Sequence, residues 1–510
     1  MPSRQDQEED LDTLESESES KHPLLPTSLA KGDLDEDHLA YLEISKRIQR
    51  IFKTCCTVLA PRLLRSLVPS FLRSSNGTSK LHPTSWLDGL RGIASFFVVI
   101  HHFILVWFPK LSYGYASDPE YYNLFQAPFL RIIYSGRGMV TIFFVVSGYA
   151  LSYGALRKIR NKEFDKVLDT LASSVFRRWL RLFLPILVST FITVIFIQTD
   201  FYWDAAVHSV TFLPRKHPTW AIQIKDWWWS FVLVSNPFMS IEGKDVYADP
   251  YGSQLWTIPR EMRGSLVIYI TLLGLAKAKQ AVRLLAMIGI SLYCLYITQW
   301  DIYLFLSGAI LAEVQLLVNE LIHEGFFHSS KFIPDSIKEN KTTVLHTVTI
   351  FGAVLATHML CYPDIGDDLT PGYGYMIAST PAQYDNKNLR QRYWLCIGAV
   401  LLGFSMAFSP STSSNPTPLL QRPFNTSFVQ YLAKVSYALY VLHLHLVWTV
   451  SYRLFLMAQV LDPAAYLIRF IETAVMMAIL CFWTADLFWR GVDAKSVDLA
   501  KWLTNKCFVN

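Results

Sequence analysis

Four ionisable side chains interrupt an apolar stretch of this chain. In SWLDGLRGIASFFVVIHHF, residues 85–103, Asp88 and Arg91 precede a run of apolar residues, and His101 and His102 follow most of it. Arg91 and His102 are eleven residues apart. A helix therefore places both on one face, about three turns and roughly 16 Å apart. Asp88 lies one turn before Arg91, and His101 points about a quarter turn away.

An ionisable group inside a membrane is costly, so it usually faces the protein interior or a water-filled cavity. Near neutral pH a histidine there has the chemistry of a general base, and an arginine that of an anion contact. We predict these roles for His102 and Arg91, with Asp88 as a further catalytic residue. In the alternative, His102 bonds a neighbouring helix and Arg91 extends to the lipid headgroups.

Three arginines form a second basic group in SSVFRRWLRLFLP, residues 173–185. Arg177 and Arg181 are one helical turn apart and reach the same patch, and Arg178 lies beside them. Paired guanidinium groups suit phosphate recognition. The alternative is that these arginines only anchor the cytosolic end of a helix.

Glu261, in LWTIPREMRGSLVIY, residues 255–269, begins an apolar helix on the side opposite these arginines. It either caps that helix or is a buried carboxylate that orients a base or holds an acceptor hydroxyl. His443, in VSYALYVLHLHLVW, residues 435–448, is another histidine inside an apolar stretch, and His445 points about 200° away from it.

Four residues are predicted to contact the substrate: His443, Tyr440, Ser147 and Trp256. Ser147 has two further interpretations. It is a candidate nucleophile for a covalent acyl-enzyme, or it packs helices together with the adjacent glycine.

Composition indicates a membrane protein. The 510 residues are 52% hydrophobic, 14% aromatic and only 17% charged, which is too apolar and aromatic for an ordinary soluble enzyme. The net charge of +5 is modest and suggests no nucleic-acid partner. The seven cysteines have no metal-binding spacing, so we predict no metal site.

A helix crosses a bilayer with about 20 apolar residues, and ten segments fit that requirement. They lie near 87–108, 138–156, 176–198, 258–276, 281–298, 300–319, 343–362, 393–410, 435–456 and 464–488. The lysines and arginines between them concentrate on one side, which predicts that both termini are cytosolic. The fold class is thus an all-α polytopic membrane protein, with a cavity among the helices, in the endoplasmic reticulum or the plasma membrane.

The chain divides into four parts by composition. Residues 1–43 are acidic and serine-rich, which predicts a disordered cytosolic tail. Residues 44–83 are basic and amphipathic and are expected to lie on the membrane surface. The spans occupy 84–490, and 491–510 are predicted to be a short cytosolic tail.

Five motifs resemble those of the acyltransferase-3 family of polytopic membrane acyltransferases. The first is LDGLRG at 87–92, with the arginine-to-histidine spacing that selects Arg91 and His102. The others are FFVVSGY at 143–149, RRWLRLFLP at 177–185, WTIPRE at 256–261 and SYALYVLH at 436–443. The family's WSLxxE element is matched loosely, with Thr257 for serine and Ile258 for leucine. The tail and this variant element resemble those of fungal members.

The resemblance implies transfer of an acyl group, most simply acetyl, from acyl-CoA to a hydroxyl group of a sugar, lipid or secondary metabolite. Arg91, Arg177, Arg178 and Arg181 would hold the CoA phosphates, and His102 would take the proton of the acceptor. Acyl-CoA is then a co-substrate, and no bound cofactor is expected. The alternative function is a transporter or lipid flippase without acyl transfer, which has no need of a deep base linked to an anion site.

Overall fold

The structure is a computed structural model that describes residues 65–73, 81–202, 214–238, 246–324, 340–412 and 415–508. Residues Pro69–Asn510 form one compact unit, and the description below concerns that unit. The predicted disordered tail at 1–43 and most of the predicted interfacial segment at 44–83 lie outside the described residues.

Helices dominate the unit, and no strand occurs in the described residues. The longer helices are α1 (Ser85–Trp107), α2 (Gly136–Arg160), α3 (Phe164–Gln198), α4 (Trp220–Val234), α5 (Thr257–Gly274), α6 (Gln280–Tyr296), α7 (Trp300–His323), α8 (Lys341–Leu360), α9 (Lys387–Ala407), α10 (Ser427–Leu446), α11 (Pro463–Phe488) and α12 (Ala494–Cys507). Helix α10 continues through a π-helical turn at Val447–Ser451 into Tyr452–Ala458, and α11 continues through a second at Trp489–Asp493 into α12. The predicted all-α fold is confirmed.

Seven helices of the described part are long and apolar enough to cross a membrane: α1, α2, α3, α7, α8, α10 and α11, the last two with their continuations. Each of the ten predicted segments falls on a helix, but the count of ten spans is not confirmed. Helix α6 has only 17 residues. Helices α5 and α9 carry clustered charges in their first turns, including Arg260 to Arg263 and Lys387 to Arg392. The seven apolar helices indicate an integral membrane protein.

Helices α1 and α10 approach each other closely because the LDGLRG motif supplies small residues at the contact. A Cβ atom on Gly92 would lie 2.6 Å from the backbone nitrogen of Ala433, so a larger residue would force the helices apart. One turn further along, the Ser95 hydroxyl donates to the Ser436 carbonyl at 2.7 Å. The register of α1 against α10 positions the ionisable residues on the facing surfaces.

Helices α2 and α7 make a similar contact through the FFVVSGY motif. A Cβ atom on Gly148 would lie 2.0 Å from the carbonyl oxygen of Phe305. The glycine of this motif therefore packs α2 against α7, while the neighbouring Ser147 lies on another face of α2.

The segment before α5 enters the helical bundle instead of remaining at its surface. Its residues Tyr251 and Leu255 are buried. The Gln254 side-chain amide donates to the Val441 carbonyl at 2.8 Å, and the Tyr440 hydroxyl donates to the Gln254 carbonyl. This contact brings the first turns of α5 beside the later turns of α10.

The C-terminal end of α1 and the N-terminal end of α2 are covered by two loops. An ion pair joins these loops. The buried Arg131 guanidinium donates to the Leu111 carbonyl at 2.8 Å and to the Asp364 carboxylate at 2.6 Å. Burial alone would raise the pKa of Asp364, but the charge of Arg131 beside it leaves that pKa below its ordinary value. The His101 Nδ1 atom donates to the Tyr134 carbonyl at 2.7 Å, so His101 anchors α1 to this cap.

We expect Gly148→Ala to destabilise the protein, because the added methyl group would meet the backbone of α7. Overpacking of this kind costs about 1–3 kcal/mol. The matched control is Gly154→Ala on the same helix, where no atom of the described residues outside the helix's own backbone lies within 4 Å of an added Cβ. Thermal unfolding in detergent measures both variants, and equal unfolding midpoints for the two would contradict the packing role.

Asp249, in the segment before α5, is expected to make stability depend on pH. Burial raises its pKa to about 6, and its Oδ2 atom has no hydrogen-bond partner in the described part of the chain. Since its ordinary pKa is 3.8, the folded state retains the proton longer than the unfolded state, and ionisation costs the fold about 3 kcal/mol.

The measurement is the unfolding midpoint of the wild type and Asp249→Asn from about pH 4 to about pH 7.5. The wild type should lose stability relative to the variant as the pH rises to about 6, and the difference should then stay constant. A difference independent of pH over the whole range would show that this carboxyl does not titrate as described.

Candidate active site

A cavity of about 470 Å³ opens among α1, α2, α3, α5, α10, the π-helical turn after α11, and α12. Cationic and anionic side chains share its wall with apolar and aromatic ones. The charged lining residues are Arg91, Arg178, Arg181, Lys434, Glu261, Asp493 and Asp498. The cavity is therefore polar and of mixed charge, within a part of the protein that is otherwise apolar.

Arg91 is held at the cavity wall by α10. Its Nε atom donates to the Ser436 hydroxyl at 3.3 Å, and its Nη2 atom lies 3.5 Å from the Ala433 carbonyl oxygen. The Asp88 carboxylate forms an ion pair with it at 3.3 Å and is 55% exposed. Asp88 does not line the cavity and stands fourteen residues before His102, roughly 21 Å along the helix. Asp88 therefore contacts Arg91 and lies far from the histidine with which it was predicted to act.

Arg178 and Glu261 form an ion pair of 2.8 Å inside the bundle. The Arg178 Nε atom also donates to the Ser265 hydroxyl at 2.9 Å, and the Ser147 hydroxyl lies 3.4 Å from the Glu261 carboxylate. The prediction that Glu261 lies on the face opposite these arginines is wrong, because the segment before α5 carries the start of that helix into the bundle. Glu261 lies with the arginines and away from His102.

The other two arginines of the predicted cluster differ from each other. Arg181 lines the cavity. Arg177 points elsewhere: its Nε atom donates to the Ser173 carbonyl of its own helix at 3.1 Å, and it is absent from the cavity wall. Of the three predicted phosphate contacts on α3, two thus face the cavity.

Tyr440 lines the cavity and also contacts His443. Its hydroxyl donates to the Gln254 carbonyl and lies 2.6 Å from the Thr257 hydroxyl. Its own carbonyl oxygen accepts a 2.7 Å hydrogen bond from the Nδ1 atom of His443. His443 is 1% exposed, and its Nε2 atom has no partner in the described part of the chain.

His102 packs against His443 across the α1–α10 contact, with ring centroids 5.1 Å apart. Arg91 and His102 thus both face α10, as their spacing predicted. Neither His102 nor His443 lines the cavity that holds the arginines. His102 is only half-buried.

Trp256 does not line the cavity. Its indole ring packs 6.4 Å from that of Trp300, and the guanidinium groups of Arg260 and Arg392 lie over it at 5.7 and 5.6 Å. These contacts give Trp256 a role in a cluster of aromatic and cationic groups beside α5. Of the four predicted substrate contacts, Tyr440 and Ser147 line the cavity, and His443 lies behind Tyr440.

Three charged residues of the cavity were missed from the sequence. Lys434 interrupts the apolar pattern of α10, which was an available signal. Asp493 and Asp498 lie in the π-helical turn before α12 and in α12 itself. The region 491–510, predicted as a short tail, is helical from Ala494 to Cys507, and only tertiary packing brings it to the cavity.

Comparison with known proteins agrees with these motifs. The chain matches the family model described as an acyltransferase domain over residues 84–486. It is 29% identical over 458 residues to the O-acetyltransferase PaAT-1 of Phomopsis amygdali, covering 86% of this chain and 87% of the relative. It is 25% identical over 407 residues to the acyltransferase clz18 of Cochliobolus lunatus and, over the same length, to the acyltransferase R4 of a Phoma species. In both cases the alignment covers 71% of this chain and 82% of the relative.

No solved structure matches the chain. The family match covers well over half of the sequence and includes all five motifs singled out above. The chain therefore belongs to the acyltransferase-3 family, and it is a membrane acyltransferase.

Proposed function

We propose that this protein transfers an acyl group, most simply acetyl, from cytosolic acyl-CoA to a hydroxyl group of a sugar, lipid or secondary metabolite. One observation carries the proposal. A cavity with three arginines in its wall and a pair of histidines lie along the same α1–α10 contact, joined by Tyr440.

The arginines support a phosphate-bearing donor. Arg91, Arg178 and Arg181 present guanidinium groups to one cavity, and planar guanidinium groups bind phosphate oxygens in pairs. Arg178 is paired with Glu261, and Arg91 is paired with the exposed Asp88. Arg181 has no ion pair among the described residues and is therefore the main contact of the proposed donor. The pantetheine arm would then extend along α1, over a rise of roughly 16 Å from Arg91 to His102.

His102 is the proposed general base. Its ring has no hydrogen-bond partner among the described residues, and it is partly accessible. As the acceptor oxygen attacks the thioester carbonyl, the hydroxyl proton passes to the imidazole. The C–S bond then breaks, and the imidazolium returns that proton to the CoA thiolate. This direct transfer needs no covalent acyl-enzyme, and Ser147 would then serve as a wall residue.

The proposed topology follows from the donor. Acyl-CoA is cytosolic, so the arginine end of α1 and both termini of the chain are assigned to the cytosolic side, in the endoplasmic reticulum or the plasma membrane. The acceptor is then expected to reach His102 from the opposite side or from within the membrane.

We expect His102→Ala to remove most acetyl-CoA turnover by the purified protein, because loss of a general base costs roughly 10²–10⁴-fold in rate. The KM for acetyl-CoA should stay nearly unchanged, since His102 lies away from the proposed phosphate contacts. The assay follows release of free thiol from acetyl-CoA. Equal kcat in the variant and the wild type would overturn the assignment of the base.

Arg181→Ala is expected to raise the KM for acetyl-CoA by roughly 10–100-fold, the value of one hydrogen-bonded contact to a charged group. Arg177→Ala is the matched control, because Arg177 lies on the same helix but not in the cavity wall. The same thiol-release assay measures both. A similar change in KM for the two variants would mean that the cavity does not bind the donor.

Comparison of metabolites and glycans before and after gene deletion would identify the product. Loss of a compound heavier than its precursor by one acyl group would name both the acyl chain and the acceptor. An unchanged profile in cells known to express the protein would count against transfer to a small metabolite or glycan.

A further inference from the structure

We propose that His443 is the positioning residue for His102: its Nε2 atom accepts a hydrogen bond from the His102 ring and stabilises the imidazolium that forms during transfer. This inference rests on the proposed function, in which His102 is the base. Nε2 of His443 is a buried acceptor atom with no partner among the described residues.

The protonation state of His443 follows from its contacts. A backbone carbonyl oxygen only accepts, so the 2.7 Å contact from Nδ1 to the Tyr440 carbonyl oxygen requires a proton on Nδ1. In the neutral ring the lone pair is then on Nε2. That atom is buried and has no partner in the part of the chain that the structure describes. A buried acceptor without a donor is costly, which makes this atom a candidate for a functional contact.

The distance between the two rings fits a hydrogen bond between them. A linear N–H···N bond of about 2.9 Å, with each nitrogen about 1.1 Å from its ring centre, separates two imidazole centroids by about 5 Å. The observed separation of His102 and His443 is 5.1 Å, with the ring planes tilted by 37°. The proposed bond requires the His102 ring to turn about its Cβ–Cγ bond until an N–H group points at Nε2 of His443, because that atom has no partner among the described residues in the present orientation.

No carboxylate among the described residues is close enough to do this instead. A catalytic histidine is commonly oriented by a third group that accepts from its second nitrogen. Glu261 is paired with Arg178, and Asp88 lies roughly 21 Å along α1 from His102. Asp364 is paired with Arg131 in the cap. His101 also contacts the His102 ring, with centroids 5.0 Å apart, and its Nδ1 atom is bonded to the Tyr134 carbonyl. Of the two neighbouring rings, only His443 has a buried nitrogen without a partner among the described residues, so we assign His443 as the acceptor.

The proton balance is simple. One ring nitrogen of His102 donates to Nε2 of His443 throughout, which leaves the lone pair of the other nitrogen for the acceptor hydroxyl. After that proton arrives, the positive charge is on His102, and the bond to His443 becomes charge-assisted and stronger. The proton then passes to the CoA thiolate, and His443 keeps its own Nδ1 proton at every step.

A second histidine on the same helix provides a contrast. His445 is also buried, but its Nε2 atom lies 2.8 Å from the Ser189 hydroxyl and its Nδ1 atom 3.2 Å from the Tyr202 hydroxyl. Both nitrogens of His445 are thus engaged within the protein. An unused nitrogen distinguishes His443 from this neighbour.

The test compares His443→Leu, His443→Gln and the double variant His102→Ala/His443→Leu in the thiol-release assay. His443→Leu should lower kcat by roughly 10–100-fold at an unchanged KM for acetyl-CoA, the cost of one hydrogen bond to a charged group. His443→Gln keeps a neutral acceptor oxygen and should recover most of that loss. The double variant should be no slower than His102→Ala alone, because His443 acts only through His102.

Several results would overturn the inference. One is a normal kcat in His443→Leu, and another is a loss in the double variant equal to the product of the two single losses. A glutamine variant that folds with a normal unfolding midpoint and is as slow as the leucine variant would also overturn it. Failure of His102→Ala to slow the reaction would instead remove the proposed base, so the two failures are distinguishable. If His443→Leu does not fold, His443→Phe, which also removes the acceptor nitrogen, replaces it in the single and the double variant.

Discussion

The contact between α1 and α10 is the constraint on which the site depends. Gly92 allows the two backbones to approach, and the Ser95–Ser436 hydrogen bond sets their register. With that register, Arg91 faces Ser436 and His102 faces His443. A shift of one helical turn would move these groups by about 5 Å and separate both pairs. Close packing and the proposed catalytic residues therefore share one helix face.

Charge inside the bundle is tolerated because most of it is paired. Arg178 and Glu261 neutralise each other, and the guanidinium also bonds the Ser265 hydroxyl. Burial of an ion pair contributes little net stability, since desolvation offsets the attraction. Its value here is geometric: it fixes α3 against α5 and leaves Arg181 facing the same cavity. The wall has four cationic and three anionic residues, and this small cationic excess suits an anionic substrate.

The two histidines do not line the arginine cavity, and Tyr440 contacts both the cavity and His443. Its hydroxyl is held by Thr257 and Gln254, and its carbonyl oxygen holds the ring of His443. One residue therefore contacts the proposed donor cavity with its side chain and orients the histidine pair with its backbone.

Local periodicity allowed several features to be predicted from the sequence. The eleven-residue spacing puts Arg91 and His102 on one face because a helix repeats every 3.6 residues, whatever surrounds it. The apolar segments are all helical, and the opposite directions of His443 and His445 follow from the same geometry. The motif resemblance to the acyltransferase-3 family also depended only on residues close in the chain, and the family match confirms it.

Only the tertiary structure decided which distant groups meet. Glu261 joins Arg178 because the segment before α5 enters the bundle, and no local pattern shows the path of that segment. Trp256 packs against arginine side chains beside α5, and α12 brings Asp498 to the cavity. Both positions depend on packing between helices far apart in sequence. The count of ten spans is not confirmed: seven described helices are long and apolar enough to cross a membrane, and hydropathy records how apolar a helix is, not whether lipid or protein surrounds it.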